Sequence, residues 1–564
     1  MDIHIHPRLY IISTEGPYGK TSYTYDDLDR LANATYQYKN CPQVFIGYAY
    51  DLTGNRISMG KYIGSFQQQS GISYSYDFAN RLKTATHSMF GSVSYTYDDV
   101  GNRRTMTYPN GLAQITYDYN SKNRITNTTY KDKNGAAISS VNYDYYNNGD
   151  RKKMTNEFGI TTYEYDGLDQ ITKVTTPRWE TQEYTYDDLG NRRNLRTNEQ
   201  GDIKSVSYTY DPANELRTIA TEGVPGYISL DYDANGNCVK KGNINYEWDY
   251  LDRLVIINNL SLNSVIEFTY DQQNRRIKKK DSEEERYYFY DGPEPIFELN
   301  GSGNVITERF KIGNELISSV RDQVSNVKQV IYNLNDNFGS TIFVLDSSGN
   351  LLANYYYEPF GKCWNAKGDV RNDIRFIGKE YEEDIGLYYF VMRWYDPDIG
   401  RFVSPDPRSS LLNYIYCENN PLKFIDYFGL QQTNIGSPPV GSEGTPIGYN
   451  PAPSKKDTPN DQGYNWYMNH MAEQQGIKPP PKYGEGIESK DTVQGEAILT
   501  EKVSSIEGTV EVSLKTSPDA TTKTDNGSSN KKDDTGKGNK GESGAKDGEK
   551  KSWWEIILNT LFGI

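Results

Sequence analysis

Cysteine and histidine are scarce in this 564-residue chain, with four of each. Cys41, Cys238, Cys363 and Cys417 lie far apart and form no CxxC pair. A disulfide framework and a thiolate metal knuckle are therefore not expected, and each is read as a separate buried thiol. His4, His6, His87 and His470 give little raw material for imidazole metal sites or triads. No metal and no cofactor is expected. No apolar run reaches the roughly 18 residues of a spanning helix, which excludes an ordinary transmembrane helix. Met1 to Gly16 lack the basic start and apolar stretch of a secretion signal, so no export route is legible. Positive charge is also short: 61 Lys and Arg against 76 Asp and Glu leave a net −15. A nucleic-acid-coating role for the repeat region is not expected on that balance.

Aromatic residues are plentiful, at 13%, and Tyr (49) far outnumbers Phe (18) and Trp (7). The apolar mass is thus carried by rings with polar tips, which suits sheets that are wet on one face. The tyrosines recur in a Tyr-x-Tyr-Asp motif ending at Asp26, Asp51, Asp77, Asp98, Asp166, Asp187 and Asp211, and again, with Leu230 and Phe268 in the first place, at Asp233 and Asp271. Further copies end at Asp118, Asp144, Asp249 and Asp291, the first three of them degenerate. The spacing is that of two strands and two turns, so each copy is expected to be one β-hairpin. Tyrosines at i and i+2 share one side of a strand, Asp is expected to end it, and Gly-Asn pairs such as Gly54-Asn55 and Gly101-Asn102 supply positive φ. The tyrosine ladder is read as sheet packing and not as a sugar or base platform. The Asp-x-x-Gly-Asn turns lack the acidic density of a calcium loop.

Residues 20–292 resemble the YD repeats of RHS-type proteins. The block after them is more specific. Asn335 to Thr341 with Asp346-Ser347-Ser348-Gly349-Asn350, then Tyr357-Glu358-Pro359-Phe360-Gly361, are similar to elements of the RHS repeat-associated core. The run from Gly386 to Pro407, with Arg393-Trp394-Tyr395-Asp396-Pro397, Gly400-Arg401-Phe402 and Ser404-Pro405-Asp406-Pro407, is similar to that core's signature almost residue for residue. The resemblance stops at Gln431. It implies an all-β chain of consecutive hairpins in a long coiling antiparallel sheet, a partial RHS shell. The expected divisions are a lead-in (1–19), repeats (20–292), core (293–430) and a variable C-terminal region (431–564). Some thirteen hairpins fall short of a complete shell, so a truncated or orphan C-terminal piece is the expectation.

The resemblance also implies chemistry. In such cores two aspartates matching Asp406 and Asp426 drive self-cleavage after the Leu of a Pro-x-x-x-x-Asp-Pro-x-Gly-Leu motif. Here that cut falls between Leu430 and Gln431. Paired carboxyls can divide the roles of acid and base, which makes the chain at most a self-cleaving aspartic-type autoprotease. Spacing alone would not suggest it, because Asp beside Pro or before Gly is usually a turn residue. One departure stands out: Tyr427 occupies the place of the motif's Pro, which would fix φ and remove a donor. Arg393 and Arg401 lie in the same signature and are read first as ordinary ion-pair partners, with orienting the two carboxylates as the other reading.

The tail differs in composition. Residues 434–463 read as linker, 464–475 as a short helix, 493–514 as two or three strands, and 515–551 as disordered low complexity. Residues 552–564, Trp-rich and apolar after Lys550-Lys551, are too short to span a bilayer and suit interfacial membrane contact or docking. His470 in a short polar helix is read as surface. The expected function is the shell and core of a polymorphic toxin delivery protein, secreted or at the cell surface. It encloses its own C-terminal region as cargo, with an immunity protein or a cell-surface target as further partners. The alternative is an adhesion protein that meets glycans or proteins through its Tyr-rich sheet, or a non-catalytic structural repeat remnant.

Overall fold

A computed structural model describes residues 2–5, 11–64, 68–177, 181–322, 328–368, 370, 372–407, 414–430 and 432–434. The expectations for the linker, the short helix, the tail strands, the low-complexity stretch and the apolar terminus lie outside them, as does Gln431.

Thirty-four strands, from Asp2–Ile5 to Cys363–Lys367, form one sheet in which each strand pairs antiparallel with its sequence neighbour. The expected all-β meander of hairpins is therefore the fold. The local cause repeats. In Gly91–Tyr97 the side chains of Val93 and Tyr95 are buried while Ser92 and Thr96 face outward, the period of two that a half-wet sheet requires. Asp98 then closes the turn: its Oδ1 accepts from the amides of Val100 (3.1 Å) and Asn102 (2.8 Å). Asp26, Asp51, Asp166, Asp233 and Asp271 do the same two and four residues on. The third residue after the Asp is left-handed. Where it is Gly101, φ is 98°, and where no glycine stands there the place falls to an Asn, as at Asn80 (58°), Asn214 (63°) and Asn274 (59°), or to an Asp, as at Asp29 (63°), Asp169 (61°) and Asp252 (57°), the residues that tolerate this region best.

Three of the further copies depart from the expected turn. Asp118 and Asp144 sit within strands, paired with Asn127 and Lys153. A further tyrosine follows each, so alternation turns the Asp outward, and Asn120 and Tyr146 close those turns instead. Asp291 pairs with Glu294 across a tight hairpin and binds Arg56 (2.9 Å).

The second tyrosine of each motif explains why the sequence prefers Tyr to Phe. Its hydroxyl donates to a carbonyl at the start of the second strand of the preceding repeat: Tyr50 to Leu31, Tyr76 to Arg56, Tyr97 to Leu82, Tyr119 to Arg103, Tyr186 to Ile171, Tyr270 to Leu254, at 2.7–2.9 Å. Each hairpin is thus tied to its neighbour by side chains as well as by the ladder. The tyrosine rings pack within the sheet as expected.

The sheet also meets itself. Tyr36 donates to the Tyr290 carbonyl (2.8 Å) and Tyr108 to that of Asn333 (2.6 Å). Phe289 stacks on Tyr38 and Phe297. Strands some 250 residues apart share one apolar cluster running from Tyr23 to Leu345. A second cluster joins strands of residues 206–270 to Ile385, Leu387, Trp394 and Val403. A third, built of Phe338 and residues from Phe376 to Leu430, surrounds the expected site. All four cysteines are free thiols; Cys238 and Cys417 are buried, whereas Cys41 and Cys363 are only half-buried, less than expected.

Candidate functional site

After the large sheet ends, four short strands (Glu380–Glu382, Leu387–Tyr389, Trp394–Asp396 and Arg401–Phe402) form a small sheet. Arg393 enters its third strand with the guanidinium 3.6 Å over the Phe402 ring. Arg393 is buried, and its Nη2 lies 3.4 Å from Asp406 Oδ2 and 3.3 Å from Asp426 Oδ2. One nitrogen therefore joins the two aspartates that are twenty residues apart in sequence, and both are buried. Asp426 ends the strand Phe424–Asp426, which pairs with Gln432–Asn434 so that Asp426 faces Gln432. The intervening chain is pinned from three sides. Leu430 N donates to Asp426 Oδ1 (2.9 Å), Arg393 Nε donates to the Gly429 carbonyl, and Met392 N donates to the Phe428 carbonyl (3.2 Å). Gly429 is left-handed (φ 72°), and a Cβ there would stand 3.2 Å from those of Phe390 and Arg393. Only glycine permits that approach.

Asp406, Asp426, Leu430 and Arg393 are thus brought together. Arg401 is not part of this group. It donates to Asn191 Oδ1 and the Asn214 carbonyl (both 2.8 Å), beside the Tyr210 ring. It belongs to a strap across successive repeat turns: Tyr414 donates to the Gly236 carbonyl, Asn419 to Gly190, and Asn420 to Asp169, each at 2.8 Å. Lys423 adds ion pairs to Asp150 (3.1 Å) and Asp169 (3.0 Å). The described part of the strap, residues 414–423 that lead into Asp426, is thus held on the repeat turns. Within it Cys417, Glu418 and Asn419 are all left-handed, a costly conformation that the surrounding bonds hold. Burial, reinforced by Asp426, pushes the Cys417 thiol well above its ordinary range.

Sequence reading missed the group beside Tyr427. The Tyr427 hydroxyl donates to Glu294 Oε1 (2.6 Å), and Lys379 Nζ lies 3.6 Å from the centre of the Tyr427 ring and 3.1 Å from Glu294 Oε1. Lys311 closes on Glu294 Oε2. Burial works against the Glu294 charge, but the two lysines and the phenol hold its carboxyl down at about 2. Burial lowers Lys379 to about 8, with Glu294 opposing. No motif signals this group, because its members are spread over more than a hundred residues. The departure at Tyr427 is the one clue in the sequence.

Chemically, two carboxyls around one guanidinium can share a proton, one accepting and one donating, while the cation limits their repulsion. Among the described residues no cluster of His, Cys, Asp and Glu is arranged to hold a metal.

Comparison with known proteins agrees with the repeat and core geometry. A tRNA nuclease, WapA, of Bacillus subtilis is 35% identical over 349 residues, covering 59% of this chain and 14% of its own length. A double-stranded DNA deaminase toxin of Burkholderia cenocepacia is 23% identical over 435 residues, covering 64% of this chain and 30% of that protein. The chain thus spans well under half the length of these relatives. Among solved structures, TcdB2-TccC3 superposes with a TM-score of 0.61 at 18% identity, covering 73% of this chain and 24% of that one. The Tc holotoxin pore of Photorhabdus luminescens gives 0.62 at 17%, covering 75% and 24%. These two show the shared fold. The teneurin YD-shell profile matches residues 137–429, more than half of the sequence, and the chain belongs to the teneurin YD-shell family.

Proposed function

We propose that this chain is the shell and core of a polymorphic toxin delivery protein that cuts itself between Leu430 and Gln431. Residues 20–292 act as repeat wall, residues 293–430 as the processing core, and residues 431–564 as the released C-terminal cargo. The observation that carries this reading is the shared Arg393 nitrogen, which places Asp406 and Asp426 together beside Leu430. One carboxylate takes a proton from water as it adds to the Leu430 carbonyl carbon. The other carboxyl gives a proton to the Gln431 nitrogen as the C–N bond breaks. Arg393 holds both groups and, through Gly429, the segment to be cut. The toxin names of the relatives support a secreted or cell-surface setting, with an immunity protein or a cell-surface target as partner. Membrane contact by residues 552–564 belongs to the same reading. The adhesion alternative draws no support from the tyrosine ladder, whose rings are buried or half-buried and whose second hydroxyls bond within the sheet. The purified full chain is tested on a denaturing gel: two bands are expected for the wild type and one for each of Asp406→Asn and Asp426→Asn. Two bands in both variants would refute the mechanism.

A further inference from the structure

Tyr427 stands between Asp426 and the expected cut, at the place where the resembled motif has proline. A proline there restrains the backbone by its ring. In this chain the restraint comes from elsewhere. The Tyr427 side chain is buried, its hydroxyl donates to Glu294 Oε1 at 2.6 Å, and its ring lies under Lys379 Nζ at 3.6 Å. Glu294 is in turn held by Lys311 and Lys379. Its strand, Glu294–Asn300, pairs on both sides within the large sheet, so the anchor is fixed to that sheet. On the other side of the same short segment, Arg393 and Met392 hold Gly429 and Phe428. Residues 427–429 are therefore held between two anchors, one on the large sheet and one at the edge of the small sheet.

We infer that Tyr427 is a positioning residue for the self-cleavage proposed above, and that Glu294 and Lys379 form the clamp that replaces the proline. The inference rests on that reading. Tyr427 touches no reacting atom. It fixes the direction in which the chain leaves Asp426, and so the place where the Leu430 carbonyl meets the two carboxyls. A hydrogen bond from a hydroxyl to a buried carboxylate is of the strong, charge-assisted kind. Its loss is expected to slow a reaction that depends on that geometry about tenfold or more.

The test follows pulse-labelled full-length chain in cell-free translation, with the cut fraction measured against time. Tyr427→Phe keeps the ring under Lys379 and removes only the hydroxyl. It is expected to cut about tenfold more slowly or worse. Tyr427→Pro restores a backbone restraint by other means and is expected to cut within about threefold of the wild type, a rescue that loss of packing alone would not give. Thermal unfolding of the same variants in an Asp426→Asn background reports folding separately. Tyr427→Phe cutting at the wild-type rate would overturn the positioning role while leaving self-cleavage intact. If Tyr427→Phe does not fold, a folded Tyr427→Pro that stays uncut would overturn it. An uncut wild type would defeat the self-cleavage reading, and the positioning role with it.

Discussion

Tyr117 and Tyr119 are two residues apart on one strand, point to one side and contact the same arginine, yet they should respond oppositely to loss of a hydroxyl. The Tyr119 hydroxyl donates to the Arg103 carbonyl at 2.9 Å, the bond that ties each hairpin to the one before it. The Tyr117 hydroxyl is buried and has no hydrogen-bond partner among the described residues, while its ring lies 4.7 Å from the Arg103 guanidinium. Phe keeps the ring at both places, and at 117 the cation contact as well. At position 119 the change removes a net contribution of about 1 kcal/mol and leaves a carbonyl short of a donor. At position 117 it removes a hydroxyl that was dehydrated without compensation, a cost of about 1–3 kcal/mol, so the variant should be neutral or more stable. Tyr119→Phe should therefore fall below Tyr117→Phe by about 1–2 kcal/mol. The assay is equilibrium urea unfolding of the two variants in an Asp426→Asn background, which keeps the chain in one piece. Equal midpoints, or a less stable Tyr117→Phe, would refute the view that the second tyrosine stitches the repeats through its hydroxyl.

Two further predictions follow from single residues. Asn274 is left-handed (φ 59°), so Asn274→Gly should change stability by no more than a few tenths of a kcal/mol, whereas Asn274→Val should cost about 1–2 kcal/mol, both read as urea midpoints. Glu294 has its folded carboxyl at about 2 against an ordinary 4.5. Its contribution is present above about 4.5 and is lost as pH falls toward 2, because the unfolded chain takes up the proton first. The gap corresponds to about 3 kcal/mol at most. Urea midpoints at pH 5.5 and pH 3 should separate more in the wild type than in Glu294→Gln, and equal separation would count against the clamp on that carboxylate.

The hairpins were legible because their causes are local: an aromatic at every second position, an Asp whose side chain reaches its own turn, and a left-handed residue three places on. Reading failed where a local sign was ambiguous. Asp118 and Asp144 look like turn residues until the tyrosine after each is counted, and that tyrosine lengthens the strand and turns the Asp outward. The role of the second hydroxyl was hidden because its acceptor is a carbonyl one repeat back, and carbonyls leave no mark in a sequence. The same holds for the pairing of Tyr36 with Tyr290, which depends on how the whole sheet coils. At the site, Asp406 and Asp426 were found through resemblance. Arg393 lies in the same signature, but nothing in its spacing shows that one nitrogen meets both carboxylates. Arg401 sits in the same signature and is spent on the repeat turns. Glu294, Lys379 and Tyr427 meet only because the core returns to a strand far earlier in the chain.

Intact mass spectrometry of the purified 564-residue chain tests the central claim most directly. Cleavage between Leu430 and Gln431 predicts two species, residues 1–430 and 431–564, with a single full-length mass in Asp406→Asn and in Asp426→Asn. A single full-length mass in the wild type, or a cut elsewhere that survives both substitutions, would contradict it.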